Sequence, residues 1–410
     1  MKALIAGSAD VRILFLARIV RLFAYGALSV VLVLYLFELG LASTQVGLLL
    51  TLTLVGDSFV SLWLTVTADR IGRKKMLIAG AVLVVFAGVL FALTQSFLLL
   101  VIAATIGVIS PSGNEVGPFL SIEQAALSQI VSGQKRTYVF AWYNLAGSFA
   151  TAAGALLGGA VVQALLRHGL TSLDGYRAIV IGYAMLGAVL AMVFTRLSTG
   201  VELERGAVSA GPASMPWMGL HGSHRIVFKL AALFSLDAFA GGFVIQSLVA
   251  YWFFLKFGVE PAVLGSIFFG ANVLAGLSAL SAARVASWIG LVNTMVFTHL
   301  PSNILLILVP LMPNLPLAVL VLFLRFSISQ MDVPTRQAYT MAVVKPEERS
   351  AAAGITGIFR SMGAAVSPVL AGPLLATPAL GSALFFVAGG LKIIYDLLIY
   401  RNFRAVRPRE

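Results

Sequence analysis

Unbroken apolar runs of about 20 residues, repeated along the whole chain, restrict what this sequence can fold into more than any other feature. A helix needs about 20 apolar residues to cross the hydrocarbon core of a bilayer, which is about 30 Å thick. The runs do not alternate between apolar and polar residues, so they exclude a transmembrane β-barrel. The sequence therefore predicts an all-α membrane protein with twelve transmembrane helices, at 12–38, 44–67, 76–94, 97–120, 137–166, 177–196, 226–255, 262–283, 290–312, 315–340, 350–376 and 380–400.

The composition is that of a chain solvated largely by lipid. Charged residues make up 11% of it and hydrophobic residues 60%, with a mean hydropathy of +0.98, whereas a soluble domain has about 25% charged residues. There is no cysteine, which excludes disulfides, thiolate metal sites and thiol nucleophiles. The first apolar run is longer than the core of a cleavable signal peptide, and we interpret it as the first span.

The distribution of Lys and Arg predicts the orientation. If both termini and the even-numbered connections share one side, that side holds 19 of the 28 basic residues and the opposite side holds three. The positive-inside rule makes the basic side cytoplasmic. We therefore expect a multi-pass protein of a bacterial inner (plasma) membrane with both termini in the cytoplasm. The net charge of +12 is explained by topology and by contact with lipid headgroups, and it does not indicate binding to nucleic acid.

The chain divides into two similar halves. Residues 197–225 are rich in Gly, Pro and charge, and they are predicted to be a cytoplasmic linker between six-span bundles at 1–196 and 226–410. Residues 123–159 align without gaps to 336–372, with identity at eight of the 37 positions, and residues 21–26 match 237–242. Two parallel six-span repeats are one plan of secondary transporters, in which the substrate site lies near the middle of the membrane.

The connection after the second span has a recognisable pattern. It reads Asp-Arg-Ile-Gly-Arg-Lys-Lys over residues 69–75, and Thr65 precedes it at a position where the pattern has Gly. This resembles the signature loop of the major facilitator superfamily, and the resemblance extends over essentially the whole chain. It implies two six-helix bundles around a central cavity that work by rocking alternating access, with the loop controlling conformation through Asp69, Arg70, Gly72, Arg73 and Lys74. The alternative is an ordinary basic cytoplasmic loop.

The fifth span is rich in glycine. Gly147, Gly154, Gly158 and Gly159 recur along it. In the superfamily such a span, with a Gly-Pro pair, resembles the antiporter motif of exporters, but Ala155 stands here in place of the proline. Small residues also allow two helices to approach closely. The pattern therefore fits either an export function or helix packing.

Charged residues inside the spans are the strongest candidates for function, because each costs at least about 2.5–3.5 kcal/mol at the bilayer centre unless it is paired or hydrated. Lys392 and Asp396 lie four residues apart on one helix and are predicted to pair with each other. Arg21 and Asp237 occupy equivalent places in the two repeats, and we expect them to pair across the halves. The alternative is that Arg21 pairs with Asp57. The full set is Arg18, Arg21, Asp57, Asp237, Arg325, Arg360, Lys392 and Asp396.

Two spans contain helix-breaking residues. Residues 110–118 include two prolines and two glycines, which remove backbone hydrogen bonds and predict a break in the fourth span. Irregular backbone at membrane depth is tolerated only where it contacts protein or a water-filled cavity, so Asn114 and Glu115 in this break are functional candidates. Residues 332–336 are predicted to form a similar break. Alternatively, both segments are helix ends at the cytoplasmic surface.

Other chemistry is not indicated. His299 fits a packed polar group better than a proton relay. The sequence has no zinc motif, no phosphate-binding loop and no nucleophile elbow, so we expect no catalytic residues, no metal, no cofactor and no direct use of ATP.

The resemblance implies a secondary active transporter, and a proton-coupled exporter of small organic or toxic compounds is the preferred interpretation. An importer of an anionic metabolite is the alternative, because the embedded arginines favour an anionic or polar substrate. A non-transporting intramembrane enzyme or receptor is the rival class. The expected partners are a small-molecule substrate, protons and membrane lipid, and the chain is expected to be a monomer.

The candidate site residues follow from this interpretation. Glu115 is the preferred proton-coupling residue, because no basic residue lies within one helical turn of it and partial burial disfavours its ionised form. Asp57 is expected to be structural, with an arginine neighbour, and Asp237 is the third candidate. The expected substrate contacts are Arg18, Arg21, Phe23, Tyr25, Asn114, Asp237, Phe239, Arg325 and Arg360.

Overall fold

The computed structural model describes residues 9–115, 117–131, 133–202, 222–345 and 348–404. Most of the predicted linker, 203–221, lies outside the described residues. The helices of the first half are α1 (Ala9–Glu38), α2 (Ser43–Ile71), α3 (Arg73–Leu93), α4 (Phe97–Ile106), α5 (Phe119–Ile130), α6 (Gly133–Arg167) and α7 (Ser172–Thr195). Those of the second half are α8 (His224–Gly242), α9 (Gln246–Phe257), α10 (Pro261–Ile289), α11 (Leu291–Leu308), α12 (Leu315–Ser329), α13 (Asp332–Val343), α14 (Arg349–Leu374) and α15 (Pro378–Phe403).

The described helices match the predicted spans closely. Eleven helical segments are long and apolar enough to cross a membrane, and the shorter apolar helix Phe97–Ile106 lies where the fourth span was predicted. Apolar side chains such as Leu93 and Trp288 are exposed, as expected for a surface that faces lipid. The all-α membrane fold predicted from hydropathy is confirmed.

Packing groups the chain into two units. The first contains Met1–Val208 together with Gln246–Asn272, and the second contains Ser209–Ile245 together with Val273–Glu410. Residues 246–272, which the sequence assigns to the second half, thus group with the first unit, and the predicted domain bounds stay a prediction. In the first unit the most extensive helix contact is between α1 and α6, and in the second it is between α8 and α14. These pairs are equivalent in the sequence repeat.

Small residues on α6 and α14 permit these close contacts. A Cβ atom added at Gly154 would lie only 2.0 Å from the backbone carbonyl oxygen of Phe23 on α1. The equivalent position on α14 is Ser367, whose hydroxyl donates a hydrogen bond to the carbonyl of Phe239 on α8. The glycine pattern of the fifth span therefore serves helix packing in this structure.

Three predicted spans are interrupted. In the fourth, residues 107–115 and 117–118 are not helical, which confirms the predicted break. In the tenth, the interruption falls at residues 330–331, and the predicted break at 332–336 is instead the first turn of α13, where Pro334 is tolerated because the amide it lacks would have no helical partner. In the seventh, residues 243–245 separate α8 from α9, although no proline marks this place.

Candidate functional site

The first unit contains a buried group of ionised side chains, Arg18, Arg21, Glu115 and Glu123, which we call the arginine–glutamate cluster. Arg21 on α1 donates two parallel hydrogen bonds to Glu123 on α5, at 2.8 and 2.7 Å. Both side chains are fully buried. The Tyr143 hydroxyl of α6 donates a further hydrogen bond to Glu123. A bidentate guanidinium–carboxylate pair with its remaining acceptor satisfied is the form of buried ion pair that best offsets desolvation.

Glu115 joins the two arginines of this cluster. Its carboxylate accepts hydrogen bonds from Arg18 Nη1 at 2.8 Å and from Arg21 Nε at 2.7 Å. Arg18 also donates to Asn144 at 3.2 Å and lies over the ring of Tyr143. No basic residue lies within one helical turn of Glu115 in the sequence, but α1 places two arginines beside it. Sequence distance along a broken helix does not report the charges that other helices bring to it.

Asp57 on α2 has neutral partners. It accepts hydrogen bonds from the backbone N–H of Gly117 at 2.7 Å and from the Ser61 hydroxyl at 3.2 Å. No Lys or Arg side chain within the described ranges forms a salt bridge with it. The arginine neighbour that the sequence suggested for Asp57 thus lies beside Glu115 instead. The alternative pairing of Arg21 with Asp57 is also wrong.

The second unit contains its own group of ionised side chains, Asp237, Asp332, Arg325, Arg336, Arg360, Lys392 and Asp396 with His299, which we call the aspartate cluster. Asp237 on α8 is at its centre. Lys392 of α15 lies 2.5 Å from it, Arg336 of α13 lies 3.0 Å away and Arg360 of α14 lies 3.5 Å away. The predicted pair between Arg21 and Asp237 is wrong, because each residue is ion-paired within its own unit.

The predicted pair between Lys392 and Asp396 is also wrong. Asp396 lies 2.8 Å from His299 Nδ1 and accepts a hydrogen bond from the Asn303 side chain at 2.9 Å, both from α11. A spacing of four residues permits a pair on one helix, but α8 and α11 each offer a partner that satisfies its residue more completely. His299 is buried as a hydrogen-bonded polar group, which agrees with its interpretation from sequence.

Arg325 on α12 differs from the other embedded arginines. No carboxylate in the described part of the chain lies within salt-bridge distance of it, and its buried Nε has no hydrogen-bond partner there. Its guanidinium lies 4.8 Å from the ring centre of Phe326. As a residue, Arg325 is partly exposed.

The remaining candidates are dispersed. Tyr25 is fully buried and stacks on Tyr183 with ring centres 6.2 Å apart. Asn114 is exposed within the interrupted fourth span. Phe239 packs edge-to-face on Phe243 at 5.2 Å, and Phe23 is half-buried on α1. The structure therefore brings together the charged candidates of each unit, and Tyr25 lies within electrostatic range of Arg21 and Glu115.

The sequence repeat relates the two clusters. Arg21 aligns with Asp237, and Glu123 aligns with Arg336. In each unit one ion pair thus connects the first long helix to the helix that follows an interrupted segment. The first long helix carries the arginine in the first unit and the aspartate in the second. Sequence reasoning missed these partners, although the signal was present: Glu123 and Arg336 are the first aligned positions of the repeat and are opposite in charge.

The side-chain carboxylate of Glu202, which follows α7 in the chain, binds the signature loop. The backbone N–H groups of Arg73 and Lys74 donate to the Glu202 side chain at 2.7 and 3.2 Å, so an anion lies at the N-terminus of α3, where it is favoured. Gly72 has φ of 121°, which a residue with a side chain rarely adopts. Asp69 accepts a hydrogen bond from Arg73 Nε at 2.8 Å, and the Lys74 ammonium donates to a backbone carbonyl at 2.8 Å. Arg70 is exposed.

Comparisons with known protein families and sequences identify relatives of this chain. Residues 14–368 match the Major Facilitator Superfamily. An uncharacterized membrane protein of Saccharomyces cerevisiae is 30% identical over 426 aligned residues, which cover 97% of this chain and 95% of the yeast protein.

Solved structures share the fold at low sequence identity. The nucleoside transporter NupG has a TM-score of 0.72 at 14% identity, covering 97% of this chain and 100% of its own. The D-xylose–proton symporter has a TM-score of 0.73 at 15% identity, covering 96% and 98%. A bacterial homologue of the human lysosomal transporter Spinster has a TM-score of 0.69 at 15% identity, covering 96% of both chains. Because the sequence match extends from residue 14 to residue 368, this chain belongs to the major facilitator superfamily.

Proposed function

We propose that this protein is a secondary active transporter that moves a small solute across the membrane by alternating access. The observation that carries the proposal is the pair of buried charged clusters, one in each unit, each of which includes residues on helices long enough to span a bilayer. Ionised side chains inside a membrane are expensive, and they mark solute and ion pathways in transporters. Membership of a transporter superfamily supports the same function.

A release assay tests this proposal and does not require the substrate to be identified first. Liposomes containing the purified protein are loaded with a defined mixture of membrane-impermeant metabolites, and the released compounds are identified by mass spectrometry. We expect the protein to accelerate release of at least one component relative to protein-free liposomes. If no component leaves faster, the transporter proposal is contradicted, and an intramembrane enzyme or receptor becomes the better interpretation.

Export coupled to proton entry is our proposal for direction and energy source, and Asp57 is the residue that we place at the proton site. Asp57 is partly buried, and the hydrogen-bond donors that it has among the described residues are neutral, so a neutral carboxyl at this position leaves none of their cations unpaired. Protonation of Glu115 would instead leave Arg18 without a carboxylate partner. We therefore assign proton coupling to Asp57 and not to Glu115, which the sequence pattern favoured, and we assign Glu115 a structural role.

Two variants separate these roles. Asp57→Asn is expected to abolish proton-driven release while one-for-one exchange of solute continues, because exchange requires no net proton movement. Glu115→Gln, the matched control, is expected to keep the proton dependence. Infrared spectra of the wild type should also show a carboxylic-acid C=O band that changes with pH and is missing in Asp57→Asn. Full proton-driven release by Asp57→Asn contradicts the assignment.

We also propose cytoplasmic termini, a monomer and a bacterial plasma membrane. The strong excess of Lys and Arg on one side supports the orientation. Because the chain has no cysteine, single cysteines at His168 and Arg401 can be labelled with an impermeant maleimide on intact cells. Labelling is expected at position 168 and not at position 401 until the cells are opened. The reverse pattern contradicts the proposed topology.

Import of an anionic metabolite is the second candidate. The specific observation in its favour is Arg325, an embedded cation that forms no ion pair with any described side chain. Proteoliposomes with pH gradients of opposite sign separate the two candidates. A symporter moves solute in the direction in which protons flow, whereas an antiporter moves solute in the opposite direction.

A further inference from the structure

The two clusters differ in their balance of charge. The arginine–glutamate cluster has two guanidinium groups and two carboxylates, and each guanidinium contacts Glu115. The aspartate cluster has three carboxylates and four permanent cations among its described residues, which are Arg325, Arg336, Arg360 and Lys392. The aspartate cluster therefore has one more positive charge than its carboxylates neutralise when His299 is neutral.

The three carboxylates are already engaged. Asp396 is held by His299 and Asn303. Asp332 lies 3.1 Å from Arg336. Asp237 is shared by Lys392 at 2.5 Å and Arg336 at 3.0 Å. This leaves two arginines of the aspartate cluster without a close carboxylate of their own.

These two arginines are Arg325 and Arg360. The Nη1 atom of Arg360 is 3.5 Å from Asp237 and makes no hydrogen bond to a described group, while 35% of the side chain is exposed. Arg325 has no carboxylate within salt-bridge distance in the described part of the chain. Both lie within electrostatic range of the same two residues, Asp237 and Asp332. Two guanidinium groups, each with a nitrogen that makes no hydrogen bond to a described group, thus interact with the same pair of carboxylates.

A guanidinium with unused donors is suited to bind a carboxylate or phosphate through two parallel hydrogen bonds. In the first unit Glu115 supplies that carboxylate to Arg18. We propose that in the second unit a small organic anion with a single negative charge binds to Arg325 and Arg360 and completes the charge balance of the aspartate cluster. The inference rests on the proposed transport function, and it names the substrate as a monoanion recognised by the second unit.

Thermal unfolding in detergent tests this site directly, with benzoate as the monoanion and benzamide as its neutral analogue of the same shape. A ligand that binds only the folded state raises the unfolding temperature. For the wild type we expect millimolar benzoate to raise it by roughly 2–4 °C and benzamide to leave it unchanged. Arg325→Gln and Arg360→Gln should each lose most of this shift.

Two further variants keep the test independent of folding. Arg284→Gln removes an exposed arginine of α10 and is expected to keep the full benzoate shift. Arg360→Lys keeps the positive charge and should retain part of it. Absence of a benzoate shift in the wild type, an equal shift with benzamide, or a full shift in Arg325→Gln overturns the anion site.

Failure of this site and failure of the transport proposal are distinguishable. If benzoate does not bind but the metabolite release assay shows protein-dependent release of an uncharged compound, the protein is a transporter and the anion site is wrong. If benzoate binds in an arginine-dependent way but nothing is released, the anion site stands and the transport proposal is wrong.

Discussion

The arginine–glutamate cluster and the aspartate cluster are built on equivalent helices, yet they are satisfied to different degrees. In the first, each guanidinium nitrogen of Arg21 donates to Glu115 or Glu123, and Glu115 also binds Arg18. In the second, one carboxylate at the centre faces three cations, and Arg325 has no carboxylate within salt-bridge distance among the described residues. We propose from this difference that the first cluster holds its unit together and that the second binds the substrate.

The largest effect is expected from Glu123→Gln. This change leaves the fully buried Arg21 without its bidentate partner, and breaking such a pair costs about 3–5 kcal/mol. Thermal unfolding of the purified protein measures the loss. Glu115→Gln is the matched control, and we expect a smaller loss because Arg21 keeps Glu123. Equal losses in the two variants would contradict the idea that Glu123 anchors the cluster.

Inverting the polarity of the first pair is expected to have the next largest effect. Arg21→Asp with Glu123→Arg reproduces the arrangement of Asp237 and Arg336, and the double variant should recover part of the stability that either single change removes. A second double variant, Arg21→Asp with Asp237→Arg, should recover none, because these residues belong to different pairs. Rescue by the second combination would restore the pairing predicted from the repeat and contradict the structure.

Close packing of the two equivalent helix pairs can also be compared. Gly154→Ala places a Cβ atom against the carbonyl of Phe23, and we expect a loss of about 1–3 kcal/mol from overpacking. Ser367→Ala removes only a hydrogen bond and should cost about 0.5–1.5 kcal/mol. Gly182→Ala on α7 is the control, because no heavy atom lies within 4 Å of the added group. Destabilisation by Gly182→Ala equal to that of Gly154→Ala would exclude a packing cause.

The smallest effect is expected at the signature loop. Glu202→Gln removes the negative charge from the N-terminus of α3 and should destabilise the first unit by about 0.3–1 kcal/mol. Glu38→Gln, at an exposed position, is the control. Because the charge interaction is screened by salt, the difference between the two variants should shrink as ionic strength rises. A difference that is independent of salt would indicate a role other than the charge.

The helices of this protein were predictable from sequence, and the ion pairs were not. Hydropathy and the prolines at 111 and 118 located the spans and the interruption in the fourth, since both depend on local composition. Lys392 and Asp396 show the limit of local rules, because their partners come from α8 and α11, far away in sequence. Only the repeat contained long-range information: the opposite charges of Glu123 and Arg336 match those of Arg21 and Asp237, and together they specify both pairs.

The interrupted fourth span has a mechanical consequence. The backbone hydrogen bonds of a helix form and break cooperatively, whereas the described backbone of residues 107–115 and 117–118 is held by individual hydrogen bonds from neighbouring helices. Tyr183 donates to the carbonyl of Val108 at 2.6 Å, the amide of Ser247 donates to that of Pro111 at 3.2 Å, and the Gly117 amide donates to Asp57. The segment is therefore fixed by separate hydrogen bonds to several helices and not by one continuous helical ladder, and the carboxyl of Asp57 accepts one of these bonds.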